Sequence, residues 1–189
     1  MNKFILNYLG VFFILLSVLS FFNIIYSYYF NLYLNINTYF YTFLISIIIG
    51  LISFFYKSFD GKITIYQKIF AVFIGYILLP LVISIPFYLS IYNVSFLDCY
   101  FEAISGFTST GFTIFDNIKH IDESLILWRS TSQWIGGIYF LFSILLLIDI
   151  FDNSLRKSLT NFINFNYSEI FKQFFKILIL YTSLTFFIF

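Results

Sequence analysis

Cysteine, histidine and charge are all scarce in this 189-residue chain, and each scarcity closes a route to function. The single cysteine, Cys99, excludes an intramolecular disulfide and any multi-cysteine metal site. The single histidine, His120, excludes a histidine-rich metal centre. A membrane-embedded enzyme would need a paired nucleophile and base, yet Cys99 and His120 stand isolated near an outer loop, so no catalytic residues and no cofactor are expected. A formal net charge of +1 leaves no basic field for nucleic acid and no acidic field for a basic partner. Only 10% of the residues are charged, against roughly 25% in soluble domains.

What fills the chain instead is apolar: 61% of residues are hydrophobic and the mean hydropathy is +0.94. A small water-soluble domain could not hide that surface, because its outside must be largely wetted. The bilayer is the solvent that suits it, and membrane lipid is the first expected partner. The 25% aromatic content reads as codon bias, since Phe, Tyr, Ile and Asn share AT-rich codons.

A membrane-crossing helix needs roughly 20 mostly apolar residues. By that ruler spans are expected at Phe4–Tyr28, Thr38–Tyr56, Ile69–Leu89 and Leu127–Ile148, with a last apolar run at Phe171–Phe189. The first exceeds a signal-peptide core of about 7–15 residues and no small-x-small cleavage site follows it, so it reads as a retained span. Pro80 and Pro86 are expected to kink the third. With the N-terminus in the cytoplasm, the inner segments hold Lys3, Lys57, Lys62, Lys68, Arg156, Lys157, Lys172 and Lys176, and the outer ones only Lys119 and Arg129. The outer side is acidic, with Asp98, Glu102, Asp116, Asp122 and Glu123. The stretch Asp149–Lys172 is amphipathic and suits either the inner membrane surface or a solvated connector.

Between the third and fourth spans lies a segment that is not an ordinary loop. Phe96, Tyr100, Phe101, Ile104 and Phe107 recur every three or four residues, which predicts a helix, with Ser95 as N-cap and Asp98 completing a capping-box-like start. The helix Ser95–Phe107 would reach only about 20 Å, too short for a hydrocarbon core of about 30 Å. It must enter and stop. There the chain reads Thr108-Ser109-Thr110-Gly111-Phe112-Thr113. A filter for an alkali cation replaces hydration water with backbone carbonyl oxygens, and aligning them demands unusual backbone angles that glycine adopts at little steric cost. The C-terminal end of the preceding helix carries partial negative charge, which favours a cation. Irregular backbone at this depth is tolerated only where it lines a cavity or is buried in protein.

The run Phe101-Glu102-Ala103-Ile104-Ser105-Gly106-Phe107-Thr108-Ser109-Thr110-Gly111-Phe112-Thr113, followed by Leu127-Trp128-Arg129-Ser130 and Gln133-Trp134-Ile135-Gly136-Gly137, resembles the first pore repeat of the TrkH/KtrB family of potassium-uptake transmembrane subunits. The resemblance is sharpest over Asp98–Gly137. It implies an all-α polytopic membrane protein of the potassium-channel-like type, a span, re-entrant pore loop and span preceded by two transmembrane helices. Residues 1–68 would then hold the leading helices and a cytoplasmic link. Residues 69–148 would be the first repeat, with pore helix 95–107 and filter 108–113, and 149–189 a connector and the start of a second repeat.

The resemblance further implies that Ser109, Thr110, Gly111 and Phe112 line the filter, with potassium at Ser109, Thr110 and Gly111. Thr108, Thr113, Glu102 and Arg129 would support it, Glu102 structurally and Arg129 as an anchor near the outer end of its span. Phe112-Thr113 stands where the family often has Ala-Thr, a bulkier outer rim. Tyr139 replaces a small residue, which puts close helix packing there in doubt. The implied function is potassium uptake across the bacterial cytoplasmic membrane, without enzymatic chemistry. The implied partners are a second copy in a homodimer when full length and a cytoplasmic nucleotide-binding regulatory subunit.

Family members hold four repeats, and four loops close one filter, whereas this chain shows a single glycine-centred loop. Three expectations stay open: a shortened chain without activity of its own, a short chain that assembles with itself or with a polypeptide carrying the remaining repeats, and a non-conducting structural or regulatory subunit.

Overall fold

The computed structural model describes residues 3–55, 64–90, 92–117, 121–147 and 170–188. These form α1 (Lys3–Tyr29), a 3-10 turn (Tyr33–Asn35), α2 (Ile36–Phe55), α3 (Ile65–Ile83), α4 (Ile85–Tyr88), α5 (Phe96–Phe107), α6 (Glu123–Leu147) and α7 (Ile170–Ile188), and no strand occurs among the described residues. Four helical segments are long and apolar enough to cross a membrane: Ile5–Tyr29, Tyr33–Ser53, Ile65–Tyr88 and Glu123–Leu147. The apolar part of α7, Phe174–Phe187, is shorter. The protein is an all-α polytopic membrane protein. The amphipathic stretch at Asp149–Lys172 falls almost wholly outside the described residues, as does His120.

Two spans begin earlier than an apolar count suggests. The start of α3 is fixed by Gln67, whose Oε1 accepts the Thr64 N–H at 3.1 Å. That of α6 follows Asp122, whose main-chain carbonyl accepts the N–H groups of Leu125 (2.9 Å) and Ile126 (3.2 Å) and whose Oδ2 accepts the Ser124 Oγ–H at 2.6 Å. Polar capping residues extend a helix beyond its hydrophobic stretch, and a hydropathy ruler passes over them.

The third span is interrupted, and the position of the break identifies the responsible proline. Pro80 lies inside α3, while the helix breaks at Ser84, just before Pro86. Proline lacks an N–H, and its ring excludes the carbonyl four residues back. Trp128 of α6 is buried and donates its Nε1–H to the Ile83 carbonyl at the break, at 2.9 Å.

Helices α1 and α2 form an antiparallel hairpin, with Ser20 Oγ donating to the Tyr39 carbonyl at 2.7 Å. Asn35 Nδ2 donates to Asp122 Oδ2 at 2.7 Å, and Tyr39 and Ser124 share a hydroxyl contact of 2.9 Å. These bonds join the hairpin to the start of α6. The core is aromatic around Tyr139 of α6, whose ring lies 4.8 Å from Phe12, 4.9 Å from Tyr76 and 5.3 Å from Phe107, centroid to centroid. Close packing is kept at Tyr139, because Gly75 on α3 leaves the space its hydroxyl occupies. The hydroxyl donates to the Val72 carbonyl at 2.9 Å.

Helix α5 packs between α3 and α6. Its 12 residues rise about 18 Å. Tyr100 donates to the Ile77 carbonyl of α3 at 3.1 Å, and Phe107, the last residue, lies against Tyr76 and Tyr139. Both partners sit near the middle of their spans. The short helix therefore ends about halfway along its neighbours, and the chain turns back there.

Candidate functional site

The N-terminus of α5 is capped as its sequence suggests. Ser95 Oγ accepts the Asp98 N–H at 3.3 Å and donates to Asp98 Oδ2 at 2.6 Å. One face of the helix is buried, carrying Cys99, Glu102, Ala103, Gly106 and Phe107, while Phe96, Leu97 and Phe101 are exposed.

At the other end, the last carbonyls of a helix have no partners within it. Here the loop supplies them. The N–H of Thr108 donates to Ile104 O (2.8 Å), that of Ser109 to Gly106 O (2.9 Å) and that of Thr110 to Ser105 O (3.0 Å). The N–H of Gly111 reaches the same Ser105 oxygen at 3.5 Å, the limit of hydrogen-bond length. In a trans peptide the C=O of one residue points opposite to the N–H of the next. With the N–H groups of Ser109, Thr110 and Gly111 turned toward the helix end, the carbonyls of Thr108, Ser109 and Thr110 point away from it. None of the three accepts a donor from the described residues. Two residues hold this arrangement with positive φ: Gly111 at 80° and Ser109 at 57°. The second is unusual for a residue with a side chain, and residue type alone gave no signal of it.

The structure thus brings Thr108, Ser109, Thr110, Gly111 and Phe112 together in one exposed loop. It also divides them. The Phe112 carbonyl accepts Ser105 Oγ–H at 2.6 Å, and Arg129 Nη2 lies 3.1 Å from Gly111 O and 3.2 Å from Phe112 O. These two oxygens have protein donors, unlike the three before them. The Phe112 side chain is 68% exposed.

Behind the loop sits a charge pair with a buried carboxylate. Glu102 has no exposed surface, and its Oε1 lies 2.7 Å from Arg129 Nε. That N–H is not aimed along a hydrogen-bond direction, so the contact is Coulombic. The carboxylate accepts Thr113 Oγ1–H (3.1 Å) and the Ile114 N–H (3.0 Å) through Oε2, which fastens the outgoing segment to α5. The Arg129 guanidinium lies between the Glu102 carboxylate and the Gly111 and Phe112 carbonyls, contacts that an expectation of an anchor near the end of its span did not include. Sequence reading passed over Ser105, whose Oγ and carbonyl each bond the loop. The available signal was Glu102 and Ser105 three residues apart, on the same side of a membrane-embedded helix, where polar groups require partners.

No group of three or more His, Cys, Asp or Glu that could hold a metal ion occurs among the described residues. Cys99 is a buried free thiol.

No family model matches the chain. Over 55 residues it is 44% identical to an uncharacterized cation transporter of Methanocaldococcus jannaschii, covering 29% of this chain and 12% of that protein. Over 60 residues it is 40% identical to the Trk system potassium uptake protein TrkI of Halomonas elongata, covering 32% and 11%. Over 64 residues it is 33% identical to the Trk system potassium uptake protein TrkG of Escherichia coli, covering 33% and 13%. The similarity thus spans about an eighth of each relative and about a third of this chain. Its relatives are transporters of cations, two of them named for potassium uptake.

Proposed function

We propose that this chain contributes one pore loop to the pore-forming subunit of a Trk-type potassium-uptake system in the bacterial cytoplasmic membrane. The N-terminus faces the cytoplasm in this reading. The supporting observation is the set of three successive carbonyls, at Thr108, Ser109 and Thr110, that point away from the α5 terminus without a donor from the described residues. Such oxygens can replace the water around a potassium ion. The three oxygens lie in an exposed loop and are open to a ligand, so the arrangement fits a path in which a passing cation is the partner. The negative end of α5 adds to the attraction. The membrane potential drives entry, with roughly 2.3 kcal/mol per charge for each 100 mV.

One loop touches an ion on one side. Further glycine-centred loops, from other repeats or a second copy, complete the ring. A homodimer and a cytoplasmic nucleotide-binding regulatory subunit are the proposed assembly. No covalent bond is made or broken in passage, and no cofactor is required.

The test is growth of a potassium-uptake-deficient bacterium in low potassium, with the chain expressed together with the loops that complete the ring. Growth is expected with the native sequence. Gly111→Asp, which puts a side chain at a positive-φ position and a carboxylate in the path, is expected to abolish it. Unchanged growth with Gly111→Asp would remove the filter assignment.

A further inference from the structure

We infer that Arg129 is a positioning residue that decides which carbonyls of the loop meet the cation, with Glu102 as the counter-charge that makes a guanidinium compatible with a cation path. The inference rests on the transport reading above.

The loop changes character between Thr110 and Gly111. Up to Thr110 the carbonyls have no protein donor among the described residues; from Gly111 onward they face Arg129 Nη2, at 3.1 and 3.2 Å. Gly111 allows this change of direction, since its φ of 80° turns the following peptide relative to the one before. The Arg129 side chain is 13% exposed and is fixed from behind by Glu102 at 2.7 Å. A planar guanidinium can hold a carboxylate with one nitrogen and two carbonyls with another. A lysine ammonium is a point charge on a flexible stem and reproduces the charge without the fork.

A bare guanidinium this close to the loop would repel an entering cation. Glu102 cancels it at 2.7 Å, and the same carboxylate holds Thr113 and Ile114. The pair is therefore electrically neutral toward the path while fixing the outer end of the cation-facing row. Arg129 withdraws the Gly111 oxygen from the path and shares the Phe112 oxygen with Ser105 Oγ, and the oxygens left to the ion begin at Thr110 and run inward. Ion selectivity depends on the number and placement of such oxygens, so the pair bears on selectivity as well as on folding.

The test is rubidium and sodium uptake by cells expressing the assembled transporter, with the amount of protein in the membrane measured for each variant. Losing one charged hydrogen bond corresponds to about tenfold or more in an equilibrium. Arg129→Lys is expected to keep a measurable maximal rate and to lower the rubidium-over-sodium ratio by about tenfold. Glu102→Gln, which uncovers the guanidinium charge, is expected to raise the KM for rubidium by about tenfold. A fall in maximal rate that only tracks protein amount, with ratio and KM unchanged, would overturn the inference and leave a structural pair.

A second measurement separates this inference from the transport reading. A Phe112→Cys thiol lies at an exposed position, and native Cys99 is buried. Arg129→Lys is expected to change the rate at which a membrane-impermeant maleimide labels that thiol, because the adjoining Gly111 carbonyl loses its donor and the Phe112 carbonyl keeps only Ser105. An unchanged labelling rate refutes the clamp whether or not cations move. Absence of rubidium uptake by the native protein, with labelling still sensitive to Arg129→Lys, refutes the transport reading and leaves the clamp standing.

Discussion

Gly136 of α6 lies directly against the backbone of Phe107, the last residue of α5. A Cβ placed on Gly136 would collide with the Phe107 carbonyl oxygen and would stand 2.6 Å from its carbon. The depth at which the half-helix stops is set by this contact together with the Tyr76 and Tyr139 rings on either side of Phe107. Backbone cannot swing aside as a side chain can, so a side chain at Gly136 would have to displace α5 from α6.

The neighbouring glycine provides the control. A Cβ on Gly137 would meet the hydroxyl end of Tyr181, which a rotation can move. Gly136→Ala is expected to destabilise the detergent-solubilised protein by about 1–3 kcal/mol, with a matching fall in uptake. Gly137→Ala is expected to change stability by no more than about 0.5 kcal/mol. Thermal unfolding followed by size-exclusion chromatography compares them. Equal losses at the two positions would show that α5 does not rest on Gly136.

Tyr139 and Gly75 make a coupled pair. The tyrosine hydroxyl occupies the place a Gly75 side chain would need and donates to Val72 O at 2.9 Å. Tyr139→Phe alone should cost about 1 kcal/mol through the lost hydrogen bond. Gly75→Ala alone should cost more, through the clash. In the double variant the missing hydroxyl relieves part of that clash, giving a coupling of about 0.5 kcal/mol or more. A double-mutant cycle in which the two losses simply add would contradict the packing.

The helices were largely legible, because a bilayer imposes long apolar runs and a half-length amphipathic helix between two of them stands out. The span starts were less so: Gln67 and Asp122 mark them with polar bonds that hydropathy ignores. Within the loop, Gly111 could be singled out by its residue type. Ser109 could not, since its positive φ comes from how the loop folds back on the helix carbonyls and not from the serine itself. Arg129 lies 17 and 18 residues from the carbonyls it holds, so only the folded arrangement reveals these contacts. Tyr139 looked disruptive when considered alone, and Gly75, distant in sequence, resolves it.

The row of outward-facing carbonyls is tested most directly at Gly111. A methyl group there would touch nothing within 4 Å, so the only local penalty is the positive φ, about 1–2 kcal/mol for a residue with a Cβ. Rubidium uptake and thermal stability of Gly111→Ala, measured on the same assembled protein, separate folding from conduction. The expected result is a stability change of about 1–2 kcal/mol with uptake reduced to background or with loss of preference for rubidium over sodium. Native uptake and native selectivity in a folded Gly111→Ala protein would contradict the account.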